Sequence, residues 1–116
     1  MQNELEQLVF DDGLKGIDAK ILAYVLQECI KNKDLSGTTV TERHLENLLK
    51  KLGRSKDELG EKTKFLILDG YLTERGSTPY IVDGKTKSYN NFYLGRNGIE
   101  LGHKYLERHR EIVGVK

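Results

Sequence analysis

Tryptophan is absent from this chain of 116 residues, proline and cysteine occur once each, and the aromatics are only Tyr 6 and Phe 3. A lone cysteine, Cys29, cannot close a disulfide within the chain, which fits an intracellular, cytoplasmic setting. So few aromatic rings argue against a base-stacking platform for single-stranded nucleic acid. No apolar run approaches the roughly 20 residues of a membrane-spanning helix. The opening Met1-Gln2-Asn3-Glu4-Leu5-Glu6 is acidic and lacks the apolar centre of a signal peptide. His44, His103 and His109 are the only histidines, and with one distant cysteine they offer no metal-ligand spacing. No serine, histidine and acid stand in a nucleophile motif. Gly84-Lys85-Thr86 matches the end of a phosphate-binding loop, but the first glycine of that motif would fall at Pro79. The expectation is a protein that is not an enzyme and that needs no cofactor or metal.

A chain of this length makes one domain. At 37% hydrophobic and 32% charged it buries a modest core under a heavily charged surface. The net charge is +1, yet the charges are unevenly spread. Residues 1–49 hold five Lys/Arg against nine Asp/Glu, and residues 50–116 hold fourteen against nine. A basic excess confined to one half is the footprint of a surface that meets phosphates.

Along the chain, Leu5, Leu8 and Val9 suggest a short N-terminal helix or arm over residues 1–15, stopping near Asp12-Gly13 and packing on a partner or fraying. Ile17, Ile21, Leu22, Val25, Leu26, Cys29 and Ile30 recur at helical spacing, so a helix with one buried stripe starts near residue 17. Cys29 on that stripe reads as a buried structural thiol. Thr41 is placed to cap a second helix, with Glu42 in its first turn. Its buried face would be Leu45, Leu48, Leu49 and Leu52, and Gly53 would end it. Ser55-Lys56-Asp57-Glu58 has the form of a capping box, so a third helix begins near Lys56 after a tight turn. Leu59, Thr63, Leu66 and Ile67 would face inward, and Lys56, Gly60, Glu61 and Lys64 outward. Gly60, costly in a helix by roughly 1 kcal/mol relative to Ala, implies close approach of DNA or of a neighbouring helix. Gly70 supplies a left-handed residue at the helix end.

Beyond Gly70 the pattern becomes β, with strands expected over Tyr71 to Arg75, Pro79 to Val82 and Tyr89 to Leu94. The polar, basic segment Asp83 to Ser88 would form a projecting loop opened by the Asp83-Gly84 turn. Asn97, with Glu100 three residues on, would cap a fourth helix over 97–113. Leu101, Tyr105, Leu106, His109 and Ile112 form its apolar stripe, and Gly98-x-x-x-Gly102 would let two such helices approach each other.

Helix, helix, strand, hairpin, strand, helix over residues 17–106 resembles the winged helix-turn-helix regulators. Leu66 to Thr73 carries one part of the likeness. The other is Tyr93 to Leu101, similar to the Tyr-x-Leu-Thr-x-x-Gly-x-x-Leu pattern that closes the wing in PadR-like and related small regulators, with Gly95 in place of the Thr. The departure moves the expected helix cap to Asn97. The resemblance implies an α+β fold of a three-helix core, a β-hairpin wing (core 17–94) and an additional C-terminal helix in a single 1–116 domain. It implies a third helix in the major groove of double-stranded DNA, with Ser55, Lys56, Gly60 and Lys64 nearest the DNA. Lys85 and Lys87 on the wing would reach an adjacent groove or its phosphates, and Lys50, Lys51 and Arg54 the backbone. It further implies a homodimeric transcription regulator joined through the C-terminal helix.

No separate ligand domain fits this length, so no small-molecule ligand is inferred. Asp57 and Glu61 on the third helix weigh against a phosphate-facing surface and keep open an alternative, a winged helix that binds protein in a larger assembly.

Overall fold

The computed structural model describes residues 4–113, with side chains as far as His109; Ile112 on the expected C-terminal stripe therefore lies outside the described side chains. The elements run α1 (Glu4–Asp11), α2 (Gly16–Lys31), β1 (Val40–Thr41), α3 (Glu42–Lys51), a single 3-10 turn (Lys56–Glu58), α4 (Leu59–Leu68), β2 (Leu72–Val82), β3 (Lys85–Leu94) and α5 (Arg96–Val113). The sheet is antiparallel in the order β1-β3-β2.

α2 is the centre of the core. Ile21, Leu22, Val25, Leu26 and Cys29 are all fully buried, as their helical spacing predicts. Leu45 and Leu49 of α3, Leu59 and Leu66 of α4, and Leu72, Phe92 and Leu94 at the hairpin base close around it. Leu5, Leu8 and Val9 are buried too, so α1 is built into the core of this chain, against α2 and α5.

Local signals account for most boundaries. Thr41 caps α3: its hydroxyl accepts from the His44 backbone N–H, and the His44 ring accepts in return from the Thr41 N–H at 3.2 Å. Gly53 and Gly70 end α3 and α4 in the left-handed conformation, with φ of 74° and 78°. Asp83 and Gly84 both have positive φ, which makes a two-residue hairpin turn whose twist matches the flanking strands.

Several expectations are corrected. Leu52 is not buried; it caps the end of α3 and is 36% exposed. The two short strands expected between Tyr71 and Val82 are one bulged strand. Its register slips between Glu74 and Ser77, where Gly76 takes a positive φ opposite Asn91. The expected loop of Asp83 to Ser88 shrinks to the turn itself, because Lys85 to Ser88 pair with β2.

The cap of α5 is also different. Helix α5 starts at Arg96, and the Gly95 carbonyl accepts its first bond, from the Ile99 N–H at 2.9 Å. Asn97 serves the other helix: its Nδ2 donates to the Asp69 carbonyl at 2.8 Å and its N–H to the Gly70 carbonyl at 2.9 Å. These are carbonyls that the end of α4 leaves without helical partners. A Cβ on Gly95 would stand 2.5 Å from the Gly70 oxygen and 3.1 Å from the Leu72 oxygen, so the position has no room for the Thr of the regulator pattern. Gly98 and Gly102 are likewise occupied within the chain, against the Tyr71 backbone and the Leu35 side chain. Their spacing serves packing inside this domain, not the approach of a second α5.

Candidate nucleic-acid interface

Two helices meet at a tight turn. α3 ends at Lys51, and the next helical residues begin at Lys56. Ser55 caps that start, its Oγ accepting from the Asp57 N–H at 3.1 Å. Glu58 does not complete a capping box. It takes Arg54 in a two-point ion pair instead, Nη2 to Oε1 at 2.6 Å and Nε to Oε2 at 3.1 Å. That pair holds the Glu58 carboxyl below its usual range. Arg54 thus begins with its charge already matched.

α4 divides into two faces. Leu59, Thr63 and Leu66 are buried, and the Thr63 hydroxyl is satisfied by donating to the Leu59 carbonyl at 3.0 Å. Lys56, Gly60, Glu61 and Lys64 are exposed, as their spacing predicts. A Cβ on Gly60 would meet nothing within 4 Å, so this glycine does not serve the packing of a neighbouring helix. It lines an open groove of about 270 Å³ between α4 and the hairpin base, with Lys64, Leu68, Glu74 and Phe92 among its other walls.

The remaining sequence-predicted residues lie in two places. Lys50 and Lys51 are exposed in the last turn of α3, beside Arg54 and Ser55. Lys85 and Lys87 stand on the outer half of the hairpin, exposed, opposite Val82 and Tyr80. Alternation along the strands puts both lysines on one face of the ribbon, shared with Tyr80 and Tyr89. There the rings and cations interleave. Lys87 lies over the Tyr89 ring at 5.0 Å, and Tyr89 meets Tyr80 edge to face at 5.5 Å. The Arg43 guanidinium covers Tyr80 at 4.8 Å, which ties the hairpin to the start of α3. Arg75 covers Tyr93 in the same manner at 4.6 Å. Sequence reasoning passed over Arg43 and Arg75. Reading Asp83-Gly84 as the whole turn would have set Tyr80 against Lys87 and revealed the ribbon face, although not Arg43.

Among the described residues, no three His, Cys, Asp or Glu side chains gather where an ion could be held. Cys29 is fully buried at the edge of a half-open cavity of about 450 Å³ between the end of α2 and α5, and burial pushes its thiol up to about 11. A thiol so placed stays in its neutral form near neutral pH. No helix among the described residues is long and apolar enough to cross a membrane.

A helix-turn-helix packed on a small antiparallel sheet, with a long hairpin beside the second of its helices, defines a winged helix of the α+β class. Comparison with solved structures agrees. The chain is similar to the winged-helix protein MepR, in a mutant form from a multidrug-resistant S. aureus clinical isolate. The TM-score is 0.54 at 15% sequence identity, over 98% of this chain and 74% of that one. No protein-family model and no curated protein matches the chain.

Proposed function

We propose that this protein binds double-stranded DNA as a small, PadR-like homodimeric transcription regulator of the cytoplasm, with α4 entering the major groove and the hairpin as its wing. The observation that carries the reading is the division of α4. One face is sealed into the core, and the other, with Lys64 along it, is presented to solvent directly after the 3-10 turn that carries Lys56. A helix so held can enter a groove about 12 Å wide without unfolding its own domain. In this reading Ser55, Lys56, Gly60 and Lys64 lie at the bases and nearby phosphates. Lys50, Lys51 and Arg54 hold the backbone, and Lys85 and Lys87 reach it from the wing. α5 carries the dimer contact, so that two copies of α4 address half-sites about one helical turn apart.

A second reading, a winged helix that docks on protein, is favoured by the acidic groups at the same place. Asp57 in the 3-10 turn and Glu61 on α4 are exposed where phosphates would lie, and Glu58 already neutralises Arg54. The two readings part in one experiment, binding of the pure chain to random duplex DNA across a salt series. Under the DNA reading, affinity falls steeply with salt, at roughly 0.9 in log–log slope for each phosphate neutralised. Absence of binding at low salt rejects that reading in favour of a protein partner.

A further inference from the structure

Outward of Asn91 the hairpin loses its third strand. β1 pairs with β3 at Phe92 and Asn91 and no further out, so residues 77–82 against 85–90 form a two-stranded ribbon. Such a ribbon is marginal in water when nothing packs on it. Here the start of α3 holds it by both strands. The Glu42 carboxylate accepts from the Asn90 N–H of β3 at 3.3 Å, and the Arg43 guanidinium lies 4.8 Å over the Tyr80 ring of β2. From Tyr80 the row continues edge to face to Tyr89 at 5.5 Å, and then to the Lys87 ammonium, 5.0 Å from the Tyr89 ring. Tyr89 is 5% exposed, the one buried residue of this outer half.

We infer that Arg43 is a positioning residue for the wing: through Tyr80 and Tyr89 it fixes where Lys87 stands relative to α4. This rests on the reading of the protein as a DNA binder and names what holds its wing in place. Arg43 lies in the first turn of α3, and the same helix ends at Lys51, just before the turn into α4. A ribbon tied to the start of α3 is therefore held at a set distance from the helix that follows its end. The tie needs both chemistries. The guanidinium is attracted to the face of the Tyr80 ring, and that ring packs on Tyr89. Arg43 makes no ion pair among the described residues, so no carboxylate draws it off the ring. An arm already in place gives up less freedom on binding, and affinity gained in this way needs no new phosphate contact. That separates Arg43 from Lys85 and Lys87, whose part in the reading is neutralisation itself.

The test is a double-mutant cycle on the full chain, Arg43→Gln against Lys85→Ala/Lys87→Ala, with random duplex DNA titrated across a salt series. Arg43 is exposed, so its variant keeps the core intact. Arg43→Gln is expected to weaken binding about two- to fivefold, the worth of one exposed cation–ring contact, with the log–log salt slope unchanged. In the Lys85→Ala/Lys87→Ala background the same change is expected to do nothing, because the wing it positions has already let go. Tyr80→Leu is expected to act like Arg43→Gln although it removes no charge, and Tyr80→Phe, which keeps the ring, like the unaltered chain. Binding unchanged by Arg43→Gln overturns the inference. A slope lower by roughly 0.9 in both backgrounds overturns it too, since Arg43 would then be a phosphate contact in its own right. So does an equal loss with Tyr80→Phe and Tyr80→Leu, which would make the hydroxyl the contact. If Lys85→Ala/Lys87→Ala leaves binding unchanged, the wing does not meet DNA, and the inference falls while DNA binding by α4 stands. Failure of the unaltered chain to bind any duplex at low salt overturns the DNA reading and the inference with it.

Discussion

At its base the hairpin is part of the core. Leu72, Phe92 and Leu94 are buried, and the strands there run against the backbone of Gly70, Tyr71, Gly95 and Gly98 with no space for added side chains. At its tip the same two strands are solvated. Ile81 is 79% exposed, Lys85 and Lys87 are exposed as well, and a Cβ on Gly84 would meet nothing within 4 Å. Both ends carry glycine, for different reasons. Gly95 and Gly98 are demanded by what lies next to them, whereas Gly84 is demanded by its own backbone angle of 76°. The bulge at Gly76 separates the two regimes. Thus one ribbon carries both a joint, which fixes the ends of α4 and α5 to each other, and an arm free to meet a partner.

Substitutions can break or sharpen that division. The largest effect is expected from Leu94→Ala at the base, a loss of about 2–5 kcal/mol in chemical denaturation, because a cavity opens in the core. Gly95→Thr, which would restore the regulator pattern, is expected to cost about 1–3 kcal/mol, since the obstructing atoms are backbone and cannot swing aside. A neutral outcome for Gly95→Thr in a melting experiment would show the joint to be looser than its geometry. Asn97→Ala removes a donor from the end of α4 and should cost about 1 kcal/mol, with faster amide exchange in the last turn of that helix. At the tip, the double variant Lys85→Ala/Lys87→Ala should leave stability within about 0.5 kcal/mol. Its effect belongs to DNA binding, where the log–log salt slope should fall by roughly 0.9 for each phosphate that the missing lysines no longer neutralise. If that variant destabilised the fold as much as a base variant, the division between joint and arm would collapse.

Much of the fold was legible because its rules are local. The stripe from Ile21 to Cys29, the Thr41 cap, the left-handed glycines 53 and 70 and the Asp83-Gly84 turn each depend on a few adjacent residues. What escaped depends on residues far apart in the chain. Asn97 reads as a cap for its own helix until Asp69 is found beside it. Gly95 reads as the loss of a threonine until the Gly70 oxygen is placed next to it. The bulge changes which residues of β2 share a face, so the strand read as two pieces. At the candidate interface, the exposure of Lys56, Gly60, Glu61 and Lys64 was legible because helical spacing fixes it. The ion pair that Glu58 makes with Arg54, and the cover that Arg43 gives Tyr80, required side-chain positions that spacing alone does not supply. Tyr71 belongs to the same class: its hydroxyl donates to Asp12 at 2.6 Å across 59 residues of chain.

The sheet order β1-β3-β2 leaves the long strand β2 paired on one side only. An unpaired edge of eleven residues invites a strand from another molecule and, with it, fibrous growth. This edge refuses the offer in three ways. Pro79 has no N–H to give, Glu74 and Arg75 would have to be buried, and the twist at Gly76 bends the strand out of line with any straight neighbour. The chain's single proline therefore stands on the longest unpaired edge among the described residues, where it withholds a donor that an added strand would need.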